Sequence, residues 1–139
     1  MQRLHCLHCI ALIGGLSVFA PACLSSFKNY EGQRQGRTIA LLSQQGLRFW
    51  LQDPSDPNHH KAVKKPADEM YLEAGDYVIW FVRTATRTGG AGSCSLEAGR
   101  AYGFRITGRQ FLPLSKNYAF TGECFEDPSP DPGWEQRAY

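Results

Sequence analysis

The stretch AYGFRITG, residues 101–108, carries the alternation that decides the fold class. Its large apolar residues Tyr102, Phe104 and Ile106 share one face of an extended chain, while glycine and polar residues alternate with them. A period of two is typical of a β-strand with one buried face. This part of the chain is therefore predicted to be a strand.

The apolar segments on either side of that stretch are also strand-like. In YVIWFV, residues 77–82, both faces are apolar, which predicts a central strand covered on both sides. No long amphipathic helix follows residue 22. We therefore predict an all-β protein, a single small antiparallel β-sandwich over residues 38–125. The other strand-like segments are TIALL (38–42), LRFWL (47–51), EMYLEA (69–74), CSLEA (94–98) and KNYAFTGECF (116–125).

Three short segments have the composition of tight turns. Gln-Gln-Gly, residues 44–46, separates two strand-like segments, and LEAG occurs twice, at residues 72–75 and 96–99. Glycine suits a turn position that needs a positive φ. We predict a hairpin at each of the three turns, and no repeat architecture.

Residues 1–22 have the three-part layout of a secretory signal peptide. A basic start precedes the apolar run at residues 9–19, which is shorter than the roughly 20 residues that span a bilayer. The small residues before Cys23 suit cleavage by ordinary signal peptidase. The same Ala-Pro-Ala-Cys, residues 20–23, also resembles the bacterial lipobox, and that resemblance implies a lipid on Cys23 as the first mature residue.

The cysteine count favours the lipoprotein alternative. Cleavage before Cys23 would remove Cys6 and Cys9 and leave three of the five cysteines. An unpaired thiol is a liability in an oxidising compartment, whereas a lipid on Cys23 leaves Cys94 and Cys124 as one pair. We predict lipidation at Cys23 and a disulfide between Cys94 and Cys124.

The residue after Cys23 bears on location. In the Gram-negative sorting rule an aspartate there retains a lipoprotein in the inner membrane, so Leu24 implies the outer membrane. We expect a lipid-anchored protein that faces the periplasm, with a soluble periplasmic protein as the alternative. Of the 139 residues, 117 would remain, with a polar tether over residues 23–37 and a proline-rich tail over residues 126–139.

The loop DPSDPNHHKAVKKP, residues 53–66, contains weak candidates for metal ligands. Aspartate and histidine suit a divalent metal, but adjacent histidines in an extended chain point to opposite sides, so we favour a polar connection. No Gly-x-Ser-x-Gly elbow is present, and bridged cysteines supply no thiolate. We therefore expect no catalytic residue and no cofactor. The weak metal candidates are Asp53, Asp56, His59 and His60.

Charge and loop composition bear on the partner. The formal net charge is +2 and the basic residues are scattered, which gives no indication of nucleic-acid binding. We expect a protein partner in the envelope, contacted by a glycine-rich loop at residues 86–93 or by the tail, which contains a tryptophan. The candidate contact residues are Thr86, Arg87, Trp134 and Tyr139.

Three segments, YEG (30–32), LEAGDYVIWF (72–81) and CSLEAGRAYGFRI (94–106), together resemble small bacterial lipoproteins with PEGA-like β-sandwich domains. The resemblance covers roughly residues 30–108 and rests on turn and strand motifs. It implies an envelope-facing β domain without known enzymatic activity, and it carries over no catalytic residue.

Three classes of function remain open at this point. The leading hypothesis is a lipid-anchored, noncatalytic accessory or binding module of the cell envelope. The alternative is an inhibitor or immunity protein that binds a toxin or an enzyme through its loops. A metal-assisted hydrolase that uses the aspartates and histidines of residues 53–60 is the third.

Overall fold

The computed structural model describes residues 24–52 and 66–139, and the described chain is built almost entirely from strands. The prediction of an all-β protein is confirmed. The elements are β1 (Ser26–Lys28), a short 3-10 turn (Gly36–Thr38), β2 (Ile39–Ser43), β3 (Leu47–Leu51), β4 (Glu69–Glu73), β5 (Gly75–Arg83), β6 (Gly89–Leu96), β7 (Ala101–Leu112), β8 (Asn117–Glu126) and α1 (Trp134–Arg137).

The strands of the described chain form one curled sheet with the order β1-β4-β2-β7-β8-β6-β5-β3. The pairs β1–β4, β2–β7 and β6–β8 are parallel, and the others are antiparallel. In β3, Phe49 exchanges two backbone hydrogen bonds of 2.8 Å with Ala67, which lies just before β4. This bridge brings β3, the last strand in the order, next to β4, the second. The predicted antiparallel β-sandwich is not confirmed, because the strands form one sheet that contains both parallel and antiparallel pairs.

The chain turns at residues 45–46 and 98–99 and bends at Ala74, as predicted, but none of these three positions closes a hairpin. Leu47 donates its backbone N–H to Gln44 O at 3.1 Å, yet β2 pairs with β4 and β7 while β3 pairs with β5. The two LEAG turns likewise join strands that do not pair, β4 to β5 and β6 to β7. Gly99 has the expected positive φ of 79°. Turn chemistry sets the local dihedral angles, whereas strand pairing is decided by packing elsewhere.

The centre of the core is the ring of Phe104 on β7. Its centroid lies 5.6 Å from that of Phe49 and 4.9 Å from that of Phe81. On its other side the ring lies against the backbone of β6 and β8, where a Cβ added at Gly92 or Gly122 would come within 2.7 Å or 2.6 Å of its Cζ atom. Glycine is required at both positions because the ring occupies the space of a side chain.

This packing explains why the glycine-rich stretch is a strand rather than a loop. Residues 89–93, predicted to belong to a loop, are the first half of β6, which pairs with β5 and β8. Only residues 84–88 form a turn. The prediction was wrong because glycine is a poor strand former by itself, and the close approach of β8 and the Phe104 ring overrides that local preference.

Strand β5 is not the covered central strand that its apolar sequence predicted. It is the neighbour of β3, the last strand of the sheet. Ile79 and Phe81 point into the core, whereas Val78 is 56% exposed on the outer face. On that face Trp80 stacks on Trp50 of β3, with 6.2 Å between ring centroids.

The predicted disulfide between Cys94 and Cys124 is confirmed. The two Cα atoms are 5.0 Å apart, and the bridge joins β6 to its parallel neighbour β8. The cysteines therefore lie side by side in one sheet rather than in two facing layers, and Cys94 is buried. Closing a loop of this length contributes about 3–4 kcal/mol in the chain-entropy account.

The segments predicted to be a tether and an extended tail both pack on the sheet. Ser26–Lys28 forms strand β1 beside β4. Trp134 is only 5% exposed and belongs, with Ala138, to a second core cluster on the other face of the sheet. The remaining members of this cluster are Ile39, Leu41, Tyr71 and Ala101, with Tyr30 packed against them.

Replacing Trp134 should therefore destabilise the fold. We expect Trp134→Ala to lower the free energy of unfolding by about 3–5 kcal/mol, as for other buried aromatic residues. The matched control Tyr139→Ala removes an aromatic side chain that is 54% exposed and should cost far less. Denaturant unfolding followed by circular dichroism measures both, and equal losses in the two variants would contradict the docked position of the tail.

Candidate binding surface

The structure describes only some of the residues singled out in the sequence. The lipidation candidate Cys23 and the metal candidates Asp53, Asp56, His59 and His60 lie outside the described residues. Within residues 24–52 and 66–139, no three side chains of His, Cys, Asp or Glu are grouped so as to hold a metal ion. No helix in these two ranges has the length and apolar composition needed to cross a membrane.

Thr86 and Arg87 lie in the turn that joins β5 to β6. The turn is closed by the Arg87 N–H, which donates to Arg83 O at 2.9 Å, and by a 2.7 Å hydrogen bond between the hydroxyls of Thr86 and Thr88. Arg87 adopts a positive φ of 56°, which is uncommon for a residue with a side chain. Its guanidinium is exposed at the end of the hairpin.

The β7–β8 hairpin projects beyond the rest of the sheet on the same side as the turn between β5 and β6. β6 pairs with β8 only from Phe120 onward, so the pairs from Gln110↔Ala119 to the tip form a free two-stranded ribbon. Three residue pairs at about 3.3 Å each make this projection roughly 10 Å long. The tip is a tight turn in which Lys116 has a φ of 55°.

The two hairpins meet in a shared groove of about 370 Å³. Thr86 and Arg87 line it from one side, and Lys116, Tyr118 and Phe120 line it from the other. We call residues 83–88 and 109–118 together the hairpin end. The structure thus combines two of the four predicted contact residues with a hairpin tip that the sequence did not single out.

The other two predicted contact residues, Trp134 and Tyr139, are located elsewhere. Trp134 is buried against Tyr71 of β4, and the backbone carbonyl of Tyr139 accepts a hydrogen bond from the Lys28 ammonium of β1. The side chain of Tyr139 remains half exposed. Neither residue belongs to the hairpin end.

The hairpin end is positively charged without acidic neighbours. In the described residues, Arg83, Arg87, Arg109 and Lys116 form no ion pair with a carboxylate. Elsewhere in the same part of the chain, five arginines are paired with carboxylates and Arg37 is not; the paired residues are Arg34, Arg48, Arg100, Arg105 and Arg137. Two of the unpaired cations lie over aromatic rings, Arg109 at 5.2 Å from the centroid of Tyr118 and Arg83 at 5.7 Å from that of Phe120.

Large apolar side chains are exposed beside these cations. Four of the seven exposed large apolar residues of the described chain belong to the tip of the β7–β8 hairpin, and Leu114 is fully exposed. An apolar cluster of this kind on a protein surface marks a site of interaction. The four residues are Phe111, Leu112, Leu114 and Tyr118.

A register shift between Ile106 and Gly108 sets which side chains meet at the tip. Without it, strict alternation from Phe104 would place Gly108 and Gln110 on the core-facing side. With it, Phe111 lies opposite Tyr118, and the two ring centroids are 5.3 Å apart. Alternation in the sequence could not reveal this bulge.

A sequence signal for the basic surface does exist. Between Asp76 and Glu123 the sole acidic residue is Glu97, whereas this stretch contains six basic residues. Within it FLPL, residues 111–114, places three large apolar side chains around a proline in a turn. The charge looked scattered along the sequence because the fold is what brings Arg87 and Lys116 to one groove.

A polar cluster beside the docked tail contains a second group of titratable side chains. The Tyr71 hydroxyl donates to Glu69 Oε2 at 2.8 Å and accepts from Arg137 Nε at 3.0 Å, and Arg137 Nη2 also contacts Asp131 at 2.7 Å. Burial raises the pKa of the Tyr71 phenol above its ordinary value, and the hydrogen bond from Arg137 offsets only part of this rise. A phenol kept protonated is not an activated nucleophile. The cluster instead holds Arg137 of the tail against β4, and we call it, together with the hydrogen bond from the Tyr30 hydroxyl to the Ala138 carbonyl, the tail clamp.

Comparisons with known proteins do not assign this chain to a family: no protein-family profile, no curated protein sequence and no solved structure matches it.

The tail clamp should make stability fall at alkaline pH. Burial raises the pKa of Tyr30, whose hydroxyl donates to the Ala138 carbonyl, to about 12. Because this folded pKa exceeds the ordinary value near 10, the contribution is present below pH 10 and is lost as the pH rises toward 12. Tyr30→Phe should make the decline of unfolding free energy over this range shallower.

Tyr139→Phe is the matched control for that measurement, because it removes a tyrosine hydroxyl from a half-exposed side chain. Denaturant unfolding at a series of pH values gives the slope for each protein. A slope in Tyr30→Phe as steep as in the parent protein would contradict the role given to this phenol.

Proposed function

We propose that this chain is a lipid-anchored, noncatalytic binding module of the bacterial cell envelope. Cys23 is its first mature residue and carries the lipid. The apolar run before Ala-Pro-Ala-Cys, residues 20–23, supports the anchor. After removal of residues 1–22, and with Cys94 and Cys124 bonded to each other, Cys23 is the one cysteine left without a pairing partner in the sequence.

The disulfide supports export of the chain. Structural disulfides persist in oxidising compartments such as the periplasm and are rare in a reducing cytosol. Leu24 at the position after the lipidated cysteine favours the outer membrane over the inner membrane. The proposed location is therefore the periplasmic side of the outer membrane. The resemblance to PEGA-like lipoprotein domains also remains a prediction.

The single observation that carries the binding role is the hairpin end. A stable monomer of this size rarely exposes a cluster of large apolar residues on a projecting ribbon without a use for it. The neighbouring cations Arg87 and Lys116 have no carboxylate partner among the described residues. The surface is thus available to a partner, whereas the second predicted anchor, Trp134, is used inside the fold.

Loss of the lipidation site should release the protein from the membrane. We expect Cys23→Ser to shift it, after a high-salt wash, from the membrane fraction to the soluble periplasmic fraction, because a single residue supplies the covalent anchor. The paired change Cys94→Ser with Cys124→Ser is the control and should leave the fractionation unchanged. Intact-mass spectra that show an unmodified amino terminus at Cys23 in the parent protein would contradict the anchor.

The binding role is tested by cross-linking in intact membranes. A photoreactive residue placed at position 114, on the hairpin tip, should give defined adducts after irradiation. The same residue at position 78, exposed on the outer face of β5, is the control for an apolar surface position outside the hairpin end. Adducts of equal yield and identity from both positions would remove the hairpin end from the proposal.

A further inference from the structure

The hairpin end and the start of the β domain lie at the same end of the sheet. Leu24 and Thr84 line one groove, Thr84 and Thr86 line the next, and Thr86 and Arg87 line the groove shared with the hairpin tip. Three adjoining grooves therefore lead from Leu24 to the β7–β8 hairpin. Cys23 is bonded to Leu24, with about 3.8 Å between their Cα atoms.

A lipid on Cys23 would consequently bring this end of the domain close to the membrane. The anchored domain would meet the lipid headgroups with the side on which its two hairpins project. That side contains Arg83, Arg87, Arg109 and Lys116, none of which forms an ion pair within the described residues. The Leu24 groove also contains Asp68 and Glu69, but their charges are offset by ion pairs with Arg48 and Arg137. The charge is complementary to an anionic phospholipid surface, which attracts each nearby cation.

The projection of the hairpin tip fits insertion in a lipid surface. Its apolar residues lie on a ribbon that projects by roughly 10 Å, close to the depth of about 5–10 Å at which peripheral segments bury their apolar side chains in the interface. Leu114 is fully exposed at the tip. Tyr118 has the amphipathic ring that is enriched at membrane–water interfaces, and Arg109 lies over it.

We propose that the hairpin end docks on an anionic phospholipid surface, with Leu114 and its neighbours inserted in the interface and Arg87 and Lys116 on the headgroup phosphates. This inference rests on the proposed lipid anchor and adds a second membrane contact to it. Two contacts fix the orientation of the domain relative to the membrane.

Vesicle binding of the full-length Cys23→Ser protein tests the inference without the lipid. The probe is a vesicle of equal parts phosphatidylglycerol and phosphatidylcholine, compared with phosphatidylcholine alone. We expect preferential sedimentation with the anionic vesicles and a loss of binding at high salt, because the attraction is screened. Residues 1–22 are common to all variants compared, so differences between variants report on the substituted positions.

Two variants of that parent protein remove the cationic and apolar contributions separately. Arg87→Asn with Lys116→Asn keeps a residue type that tolerates positive φ and should weaken binding roughly thirtyfold. Leu114→Ser should weaken it roughly tenfold. The controls are Arg37→Gln with Arg105→Gln, which change the net charge equally, and Val78→Thr, which removes an exposed apolar side chain elsewhere. The controls should bind as the parent does.

The outcomes separate this inference from the proposed function. Equal binding to both kinds of vesicle, or equal binding by the hairpin variants and the controls, would overturn docking on lipid. If the hairpin variants instead lose a protein cross-link in membranes while vesicle binding is unchanged, the partner is an acidic protein surface and only the lipid inference falls. The absence of a lipid on Cys23, which would contradict the proposed function, is detected separately by intact mass and fractionation.

Discussion

The contact between the Phe104 ring and the backbone of Gly92 and Gly122 is the constraint on which the curled sheet depends. The ring takes the space that two side chains would fill. The rings of Phe49 and Phe81 pack against it, at centroid distances of 5.6 Å and 4.9 Å. These five residues come from β7, β6, β8, β3 and β5. They can meet at one point only if the sheet bends around them, and favourable aromatic pairs add about 0.5–1.5 kcal/mol each to the burial of their apolar area.

The positions of most strands could be predicted from the sequence, with β1 and the first residues of β6 as exceptions, whereas the partners of the strands could not. The segments TIALL and LRFWL, for example, were predicted at residues 38–42 and 47–51 and are found as Ile39–Ser43 and Leu47–Leu51. Alternation of apolar residues is a local property, so it survives in a single sequence. Pairing depends on contacts between distant segments, and the turns at residues 44–46, 72–75 and 96–99 are equally compatible with a hairpin and with a chain that crosses to another part of the sheet.

The candidate surface was predictable only in part, for a similar reason. Thr86 and Arg87 could be chosen because a turn between strong strands is exposed. Their partner across the groove, Lys116, is far along the sequence and reaches them only through the parallel pairing of β6 with β8. Trp134 was misjudged because prolines around it suggested an extended tail, although its ring fills a gap in the second core cluster.

The docked tail also sets an order of events during synthesis of the chain. One face of β2 and β4 remains uncovered until Trp134 and Ala138 have been made, because these residues complete the cluster that contains Ile39 and Tyr71. A nascent chain that already contains all eight strands would still expose this apolar face to water. The final packing of this face therefore waits for residues 134–138, and a chain that crosses a membrane before they are made does so without a completed second core cluster.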